Sequence, residues 1–265
     1  MAFPPRPRRA LLVVLATFFV LAFVPALAHA KRHPQFEPTD LELEDPGTME
    51  LDLQLGLVKG SDAHRLVLPD FEFDLGLLEN LELDVDGTYS IAGQPDGTPL
   101  FLDHSAPDNL WVSAKIGLYD GRDDAKHAWA LGLQVGPKLP TGSDEHGVGV
   151  EGLALIARMD GRVHLVLGIG GLVDPHLTAT PRPWGFETGL DLDLDLDDVD
   201  TWSLLGEVAF QSFGSPDPTQ FNATIGLQYS PSPKLDLSVV AEAGFVPGSD
   251  PYGIFFGISP KAALW

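Results

Sequence analysis

The stretch from Met49 to Leu57, MELDLQLGL, alternates strictly between apolar and polar residues. Methionine or leucine takes each odd position, and glutamate, aspartate, glutamine or glycine takes each even one. An amphipathic helix repeats its apolar residues about every 3.6 positions, and this stretch does not. Because successive side chains of a β-strand point to opposite faces, the stretch predicts a strand with one apolar and one polar face.

The same alternation recurs along the rest of the chain, most clearly in residues 71–75, 81–85 and 190–194. About twelve segments, typically of roughly nine to twelve residues, fit the pattern, a length that suits a tilted strand crossing the apolar layer of a bilayer. The pattern predicts an all-β fold, a transmembrane antiparallel up-and-down β-barrel of about 12 strands.

The connections between these segments also alternate in kind. Residues 77–80, 159–162 and 230–234 form tight turns, whereas residues 92–108 and 174–183 are longer and rich in Gly, Pro, Ser and Asp. Outer-membrane barrels have short periplasmic turns and longer outer loops. With an even number of strands, both termini would lie on the periplasmic side.

A soluble β-sandwich is the alternative, since its strands also alternate. Two features favour the membrane barrel. The apolar faces are nearly pure Leu, Val, Phe and Ile along many strands, and the opposite faces hold many glycines, such as Gly56, Gly132 and Gly168. Glycine weakens a strand, so a solvated sheet surface has no reason to favour it, whereas a crowded, curved barrel interior does.

The first thirty residues have the order of a secretory signal. Arginines precede an apolar run over residues 10–24, and Ala28-His29-Ala30 offers the small residues that a signal peptidase reads. The prediction is a signal peptide over residues 1–30 cleaved after Ala30, a periplasmic leader over 31–47 and a barrel over 48–265 in the outer membrane of a Gram-negative cell. An uncleaved anchor is the alternative, although the run is short for a full span.

Composition excludes several classes of function. The 16 Lys and Arg against 38 Asp and Glu leave a formal charge of −22, which does not attract nucleic acid. The absence of cysteine excludes disulfides, thiolate metal sites and a cysteine nucleophile. We expect outer-membrane lipid, the barrel-insertion machinery and a small-molecule solute as partners, and no cofactor.

Several segments, in matching order over most of the predicted mature chain, resemble the outer-membrane proteins of the MetA-pathway of phenol degradation family. The matching segments are Leu68-Pro69-Asp70-Phe71-Glu72 with Leu81-Glu82-Leu83, Leu131-Gly132-Leu133 with Lys138-Leu139-Pro140-Thr141-Gly142, Leu204-Leu205-Gly206-Glu207, and Gly226-Leu227-Gln228-Tyr229-Ser230-Pro231 with Leu235-Asp236-Leu237. The resemblance implies a signal-bearing barrel that moves small organic molecules, aromatic ones among them. It supplies no catalytic or binding residues.

Two features depart from that family. The turn Leu78-Glu79-Asn80 replaces the usual Thr-Asp-Arg and so loses a cation. Barrels of this location normally end on an aromatic residue in phase with the last strand, but Trp265 is odd-numbered while the apolar residues Ile254, Phe256 and Ile258 are even-numbered. Either a bulge shifts the phase or the tail lies outside the barrel.

If the apolar faces meet lipid, the polar faces line a lumen in which acids outnumber cations. Rings of carboxylates attract cations and repel anions, so we expect an open pathway to favour cations or neutral solutes. The alternative is that the acids only keep the interior hydrated. Arg158 is a further candidate interior cation. The lumen-lining candidates are Glu72, Asp74, Glu82, Asp84, Lys115, Lys138, His164, Asp191, Asp193, Ser203, Glu207 and Glu242.

Glu207 is the strongest single candidate, a mid-strand carboxylate for which Lys115, Lys138 or Arg158 would be the partner. A structural pin across the interior is the favoured alternative to a contact with solute. Enzymatic barrels use a His/Ser pair with a carboxylate or amide, and only His164 of the histidines lies within a predicted strand.

No spacing brings His164 to Ser203 or Glu207, so we predict no catalytic residue and no enzyme activity. The aspartates at 191, 193, 195 and 197 do not form a calcium loop, because Leu196 and Trp202 occupy the positions that need Gly and Glu. We predict no metal site.

The favoured function is a non-enzymatic barrel that allows passage of small organic solutes, hydrophobic or aromatic, through an acidic lumen. The alternative is a closed structural or surface-interaction barrel without transport activity.

Overall fold

The computed structural model describes residues 43–60, 64–92, 105–107, 110–121, 127–139, 141, 148–173, 184–197, 201–212 and 219–265. The predicted signal peptide and leader residues 31–42 lie outside this range. No helix among the described residues is long and apolar enough to span a membrane. The strands are β1 (Thr48–Lys59), β2 (His64–Leu78), β3 (Leu81–Ala92), β4 (Ser105–Pro107), β5 (Leu110–Asp120), β6 (His127–Leu139), β7 (Gly149–Asp160), β8 (Val163–Val173), β9 (Trp184–Asp195), β10 (Trp202–Ser212), β11 (Gln220–Ser232), β12 (Leu235–Gly244) and β13 (Tyr252–Ala263).

All the strands except β4 form one closed antiparallel barrel of twelve strands. Neighbours in the chain pair with each other, β3 pairs with β5, and the first strand β1 pairs with the last strand β13. The short β4 pairs with β3 within the long connection to β5. The prediction of an all-β, antiparallel up-and-down barrel of about 12 strands is confirmed.

The two faces of the barrel wall differ in chemistry. Leu55 and Leu57 on the outer face are 47% and 45% exposed, whereas the intervening Gly56 is buried. Exposed leucine, valine, isoleucine and phenylalanine cover the outer face of most strands, which is far more apolar surface than a soluble monomer exposes. Exposed aromatic rings lie at both ends of the strands, as in membrane barrels. They are Tyr119, Trp129 and Trp202 at the short-turn end and Trp184 and Tyr252 at the long-loop end.

A bulge in β2 explains why its alternation is visible over only part of its length. Val67 pairs with Ser90 and Asp70 pairs with Thr88, so Leu68 and Pro69 oppose a single residue of β3. The extra residue moves the inward positions from odd to even numbers. Proline is tolerated at such a position because the bulge disrupts the ladder that needs its missing N–H group.

The C-terminal strand keeps one register from Tyr252 to its end against both neighbours. The alternative of a phase-shifting bulge is therefore wrong, and the tail continues past the strand. The backbone N–H of Leu264 donates to the carbonyl oxygen of Gly47 at 2.7 Å. The Trp265 ring lies over Gly47, whose φ of 84° suits glycine, and this ring is 74% exposed.

Close approach of strands requires glycine at Gly136 on β6. A Cβ atom at this position would lie 2.1 Å from the carbonyl oxygen of Val112 and 2.5 Å from Cα of Ser113. Both contacts are with the backbone of β5, which a side-chain rotation cannot relieve. At Gly168, also inward-facing, a Cβ atom would meet only Leu155, at an ordinary 3.6 Å.

We expect Gly136→Ala to lower the free energy of unfolding by about 1–3 kcal/mol, the usual cost of overpacking. The control, Gly168→Ala, is expected to leave it unchanged or to raise it by up to about 1 kcal/mol. Urea titration of the barrel in detergent, followed by tryptophan fluorescence, measures both. Equal unfolding midpoints for the two variants would contradict the close approach.

Candidate functional site

The registers of β1, β2 and β3 place carboxylates directly beside one another on the inner face. Glu50 pairs with Asp74, and Asp74 pairs with Asp84. One level closer to the long-loop end, Glu72 pairs with both Asp52 and Asp86. Like charges in directly opposite cross-strand positions are destabilising. We call this group the acidic wall, and its members are Glu50, Asp52, Glu72, Asp74, Glu82, Asp84 and Asp86.

Lysines from the flanking strands bond to both edges of the acidic wall. On the β5 side, Lys115 donates from Nζ to Oε1 of Glu82 at 2.8 Å, and both side chains are almost completely buried. On the β13 side, Lys261 contacts Glu50 at 2.7 Å and Glu44 at 3.1 Å. A buried charge requires a partner, so these ion pairs offset part of the wall's negative charge.

Neutral donors hold the carboxylate of Asp84, the most buried member of the wall at 0% exposure. Its Oδ2 atom accepts hydrogen bonds from Oγ of Ser113 at 3.0 Å and from Nε2 of Gln134 at 3.2 Å. Gln134 also donates to Oγ of Ser113 at 3.0 Å. Adjacent strands β5 and β6 therefore support the wall with a small amide and hydroxyl network.

The end of the predicted leader lies against the inner face at the short-turn end. The backbone N–H of Glu44 donates to Oε2 of Glu82. A Cβ atom on Gly76 would lie 2.3 Å from the carbonyl oxygens of both Glu44 and Asp45, so this glycine makes room for the leader. Leu43 lies close to Gly117 on β5. Sequence reasoning did not foresee these contacts, because a backbone donor leaves no mark in the sequence.

A row of apolar residues and glycines runs across the inner face from β10 to β2, nearer the long-loop end than the acidic wall. Its large members are buried and pack together, and the Phe255 ring occupies the space above Gly56, where a Cβ atom would lie 2.2 Å from it. The ladder runs across six adjacent strands from β10 to β2 through β11, β12, β13 and β1. The apolar row consists of Leu205, Gly226, Val240, Phe255, Gly56 and Val67, each paired with the next.

The interior is therefore less uniformly polar than expected. A second buried apolar cluster joins Ala130, Leu155, Ala157 and Val166 on β6, β7 and β8. Sequence reasoning missed both groups because it assigned apolar residues to the outer face. The doubled leucine Leu204-Leu205 was the available sign, since two consecutive strand residues cannot face the same side.

The better hydrated part of the inner face lies on β9, β10 and β12. Its acids are half-buried, whereas most members of the acidic wall are almost completely enclosed. We call this part the hydrated strip, and its acids are Glu187, Asp193, Asp195, Glu207 and Asp236.

The strand alternation places every lumen-lining candidate on the inward-facing side of its strand. Those of the acidic wall are enclosed together with Lys115, and Lys138 lies with its Nζ 5.9 Å from the centre of the Trp111 ring. The inward-facing candidates are Glu72, Asp74, Glu82, Asp84, Lys115, Lys138, His164, Asp191, Asp193, Ser203, Glu207 and Glu242.

Arg158 does not belong to the interior, and that expectation is wrong. Its guanidinium lies 5.0 Å from the centre of the exposed Trp129 ring and 3.3 Å from Asp160 on the outer face. Arg158 follows the inward-facing Ala157 in β7 and therefore points the other way. An arginine beside an aromatic ring at the short-turn end suits the membrane interface.

Glu207 pairs in register with Asp191 on β9 and Thr224 on β11. Two of its three expected partners are engaged elsewhere, whereas Lys138 lies near Trp111 on the inner face. Arg158 lies outside the barrel. Lys115 bonds to Glu82 on the opposite side of the barrel. Glu207 therefore belongs to the hydrated strip, beside other polar residues.

Ser203 and His164 both lie beside the carboxylate of Asp195, but the three groups are not arranged as a catalytic triad. Ser203 donates to Oδ1 of Asp195 at 3.3 Å, and Nε2 of His164 lies 3.8 Å from Oδ2 of the same carboxylate. The carboxylate therefore lies between the hydroxyl and the imidazole. A nucleophilic triad needs the imidazole in the middle, where it removes the proton of the hydroxyl.

Comparison with known proteins establishes the fold of this chain through similar solved structures. No family model and no curated protein matches the chain. Among solved structures, the COG4313 outer membrane channel from Pseudomonas putida F1 is similar with a TM-score of 0.63 at 12% identity, covering 86% of this chain and 100% of that one. The NanC porin gives 0.58 at 11%, covering 80% and 100%. The KdgM porin gives 0.50 at 9%, covering 80% and 98%.

The chain has the fold of an outer-membrane barrel. These solved structures carry the names of channels and porins, and their identities to this chain are low enough that the similarity establishes the architecture alone. Membership of the MetA-pathway family stays a prediction.

We expect Lys115→Met to lower the free energy of unfolding by about 3 kcal/mol or more, because Glu82 would keep its buried charge without this ammonium partner. Adding Glu82→Gln should restore much of the loss. The control Lys234→Met removes an exposed lysine from a turn and should change stability by less than about 0.5 kcal/mol. Urea titration in detergent compares them, and equal midpoints for the two single variants would show that the ion pair does not stabilise the barrel.

Proposed function

We propose that this protein is an outer-membrane channel for small organic solutes, with an inner surface that favours cations and neutral molecules over anions. The observation that carries the proposal is the division of the inner face of a closed barrel into carboxylate-rich and apolar parts. The N-terminal signal would direct export, with cleavage after Ala30, and the insertion machinery would place the barrel in the membrane.

The charge preference follows from the hydrated strip. Its acids are half-buried, whereas most acids of the acidic wall are almost completely enclosed, and the wall adds further negative charge across the barrel. Carboxylates around a narrow pathway lower the energy of a passing cation and raise that of an anion. Walls of low dielectric constant strengthen this effect.

The preference for organic solutes follows from the apolar row. Phe255, Val240 and Leu205 face the interior although the outer surface offers ample apolar environment. An aromatic or aliphatic group of a solute would gain free energy by leaving water for this row at Phe255, its most exposed large member at 4%. Pockets for small organic ligands combine apolar walls with a few polar groups in the same way.

The low exposure of many inward side chains favours the second candidate, a closed structural barrel. Val58, Asp84 and Val240 are all at most 2% exposed, so side chains fill part of the interior. A closed barrel would act by presenting its outer loops or by stiffening the membrane. We propose no catalytic role, since Asp195 rather than His164 lies in the middle of the serine–histidine group.

In planar bilayers, a potassium chloride gradient is expected to give a reversal potential of the sign that indicates cation preference. Glu207→Gln combined with Asp193→Asn should lower the cation-to-anion permeability ratio by about twofold or more, because the pathway loses two charges. Asp160→Asn, which alters an exposed residue paired with Arg158 on the outer face, is the control and should leave the ratio unchanged. Anion preference would refute the charge argument, and a complete lack of conductance would support the closed barrel.

Aromatic preference is measured with two organic cations of similar size, benzylammonium and protonated Tris, under bi-ionic conditions. We expect benzylammonium to be the more permeant, by a factor of about 2 to 12, as an aromatic contact contributes about 0.5–1.5 kcal/mol. Phe255→Ala should remove the difference. Phe256→Ala alters the neighbouring outward-facing ring and should keep it. Equal permeability of the two cations in the unaltered protein would refute a role for the apolar row.

A further inference from the structure

Three members of the acidic wall converge on one point of the barrel interior. Asp74 of β2 and Asp84 of β3 are direct cross-strand neighbours, and Glu82 precedes Asp84 on the same face of β3. Each offers a carboxylate oxygen such that all three oxygens lie within 4.8 Å of one another. Asp74, Glu82 and Asp84 are 6%, 1% and 0% exposed, respectively. We propose that Asp74, Glu82 and Asp84 bind a calcium ion.

Unpartnered oxygen atoms on two of these three residues are the second observation. Oδ1 of Asp74 and Oδ1 of Asp84 are both buried and accept no hydrogen bond from the described residues. Ser113 and Gln134 engage Asp84 only through its other oxygen, Oδ2. A buried carboxylate oxygen without a donor carries a large desolvation cost. A cation bound to both Oδ1 atoms would remove that cost.

The negative charge around the three carboxylates also favours a bound cation. Glu50, Asp74 and Asp84 lie side by side in one cross-strand row. Lys261 bonds to this row at the Glu50 edge, and Lys115 bonds to Glu82, leaving Asp74 in the centre. Buried negative charges repel one another unless compensated. A divalent cation supplies two positive charges at the centre of the wall, where the three carboxylates meet.

The carboxylate ligands and their enclosure favour calcium, because magnesium gives up its bound waters reluctantly. Only carboxylate oxygens converge, which suits hard cations and disfavours copper or nickel. Calcium bonds to oxygen at 2.3–2.6 Å, so two of its ligands lie at most about 5 Å apart. Magnesium bonds at 2.0–2.1 Å, which limits that separation to about 4.2 Å. The three oxygens all lie within 4.8 Å of one another, which is inside the separation that calcium ligands allow.

The proposed site is independent of solute passage, since a closed barrel would bind calcium equally well. It also differs in place from the aspartates of β9, whose spacing does not form a calcium loop. The ligands come from two adjacent strands and are set by their register rather than by a linear motif. The sequence alone therefore predicted no metal here.

Calcium binding is measured by isothermal titration calorimetry on the folded full-length protein in detergent, after removal of divalent ions with a chelator. We expect saturable binding of calcium and a higher thermal unfolding midpoint in its presence, because a ligand that binds only the folded state stabilises it. Asp84→Asn and Asp74→Asn should each weaken calcium affinity at least about tenfold, since each removes a charged ligand. Magnesium should bind more weakly than calcium.

The control is Asp236→Asn, which neutralises an inward-facing aspartate of β12 away from the three ligands and should bind calcium like the unaltered protein. Gel mobility without heating verifies that each variant folds, and Glu82→Gln replaces any aspartate variant that does not. Two results would overturn the proposal. One is the absence of calcium binding at neutral and alkaline pH. In that case a proton shared between the carboxyl groups of Asp74 and Asp84 would take the place of the cation. The other is equal calcium affinity in the ligand variants and in Asp236→Asn.

Discussion

Pairing of β1 with β13 is the constraint on which the rest of the structure depends. Without it, both strands would expose a row of backbone N–H and carbonyl groups, and a membrane interior offers those groups no partner. Closure pairs the two strands from Thr48 with Ala263 to Lys59 with Tyr252, with a break in the ladder only at Leu51 and Asp52, opposite Ser259 and Pro260. It also fixes which side of every strand faces inward, because the wall has no free edge along which a strand can slip.

Closure explains why an unfavourable arrangement of carboxylates is retained. The register that aligns β1 with β13 also aligns Glu50 with Lys261, and the register of β1 with β2 then brings Asp74 beside Glu50. Moving β2 by one residue to separate these acids would turn its outer phenylalanines inward. The apolar outer face therefore determines the register, and lysines, amides and hydroxyls from the flanking strands reduce the resulting repulsion.

The alternation seen in MELDLQLGL was sufficient to predict the architecture, because a period of two depends only on the residues themselves. The neighbours of each inner side chain depend on register, and register depends on features such as the bulge at Leu68 and Pro69 that alternation does not reveal. Alternation thus gives the face on which each acid lies, whereas the contacts among the acids of β1–β3 follow from register and cannot be read from it. Arg158 was misplaced because its phase within β7 is set by small residues that give a weak alternating pattern.

The two parts of the inner face act over different distances. Carboxylates influence ions over about 8 Å at physiological ionic strength, so in the proposed channel the acidic wall and the hydrated strip would act on a solute along much of the barrel. Apolar groups act only in direct contact, so in the proposed channel the apolar row would select at the level of Phe255 alone. A divalent ion at Asp74 and Asp84 would lower the negative potential without changing that contact. The proposed charge selection and apolar selection would thus be separable, because the first sums over many residues and the second depends on a single row.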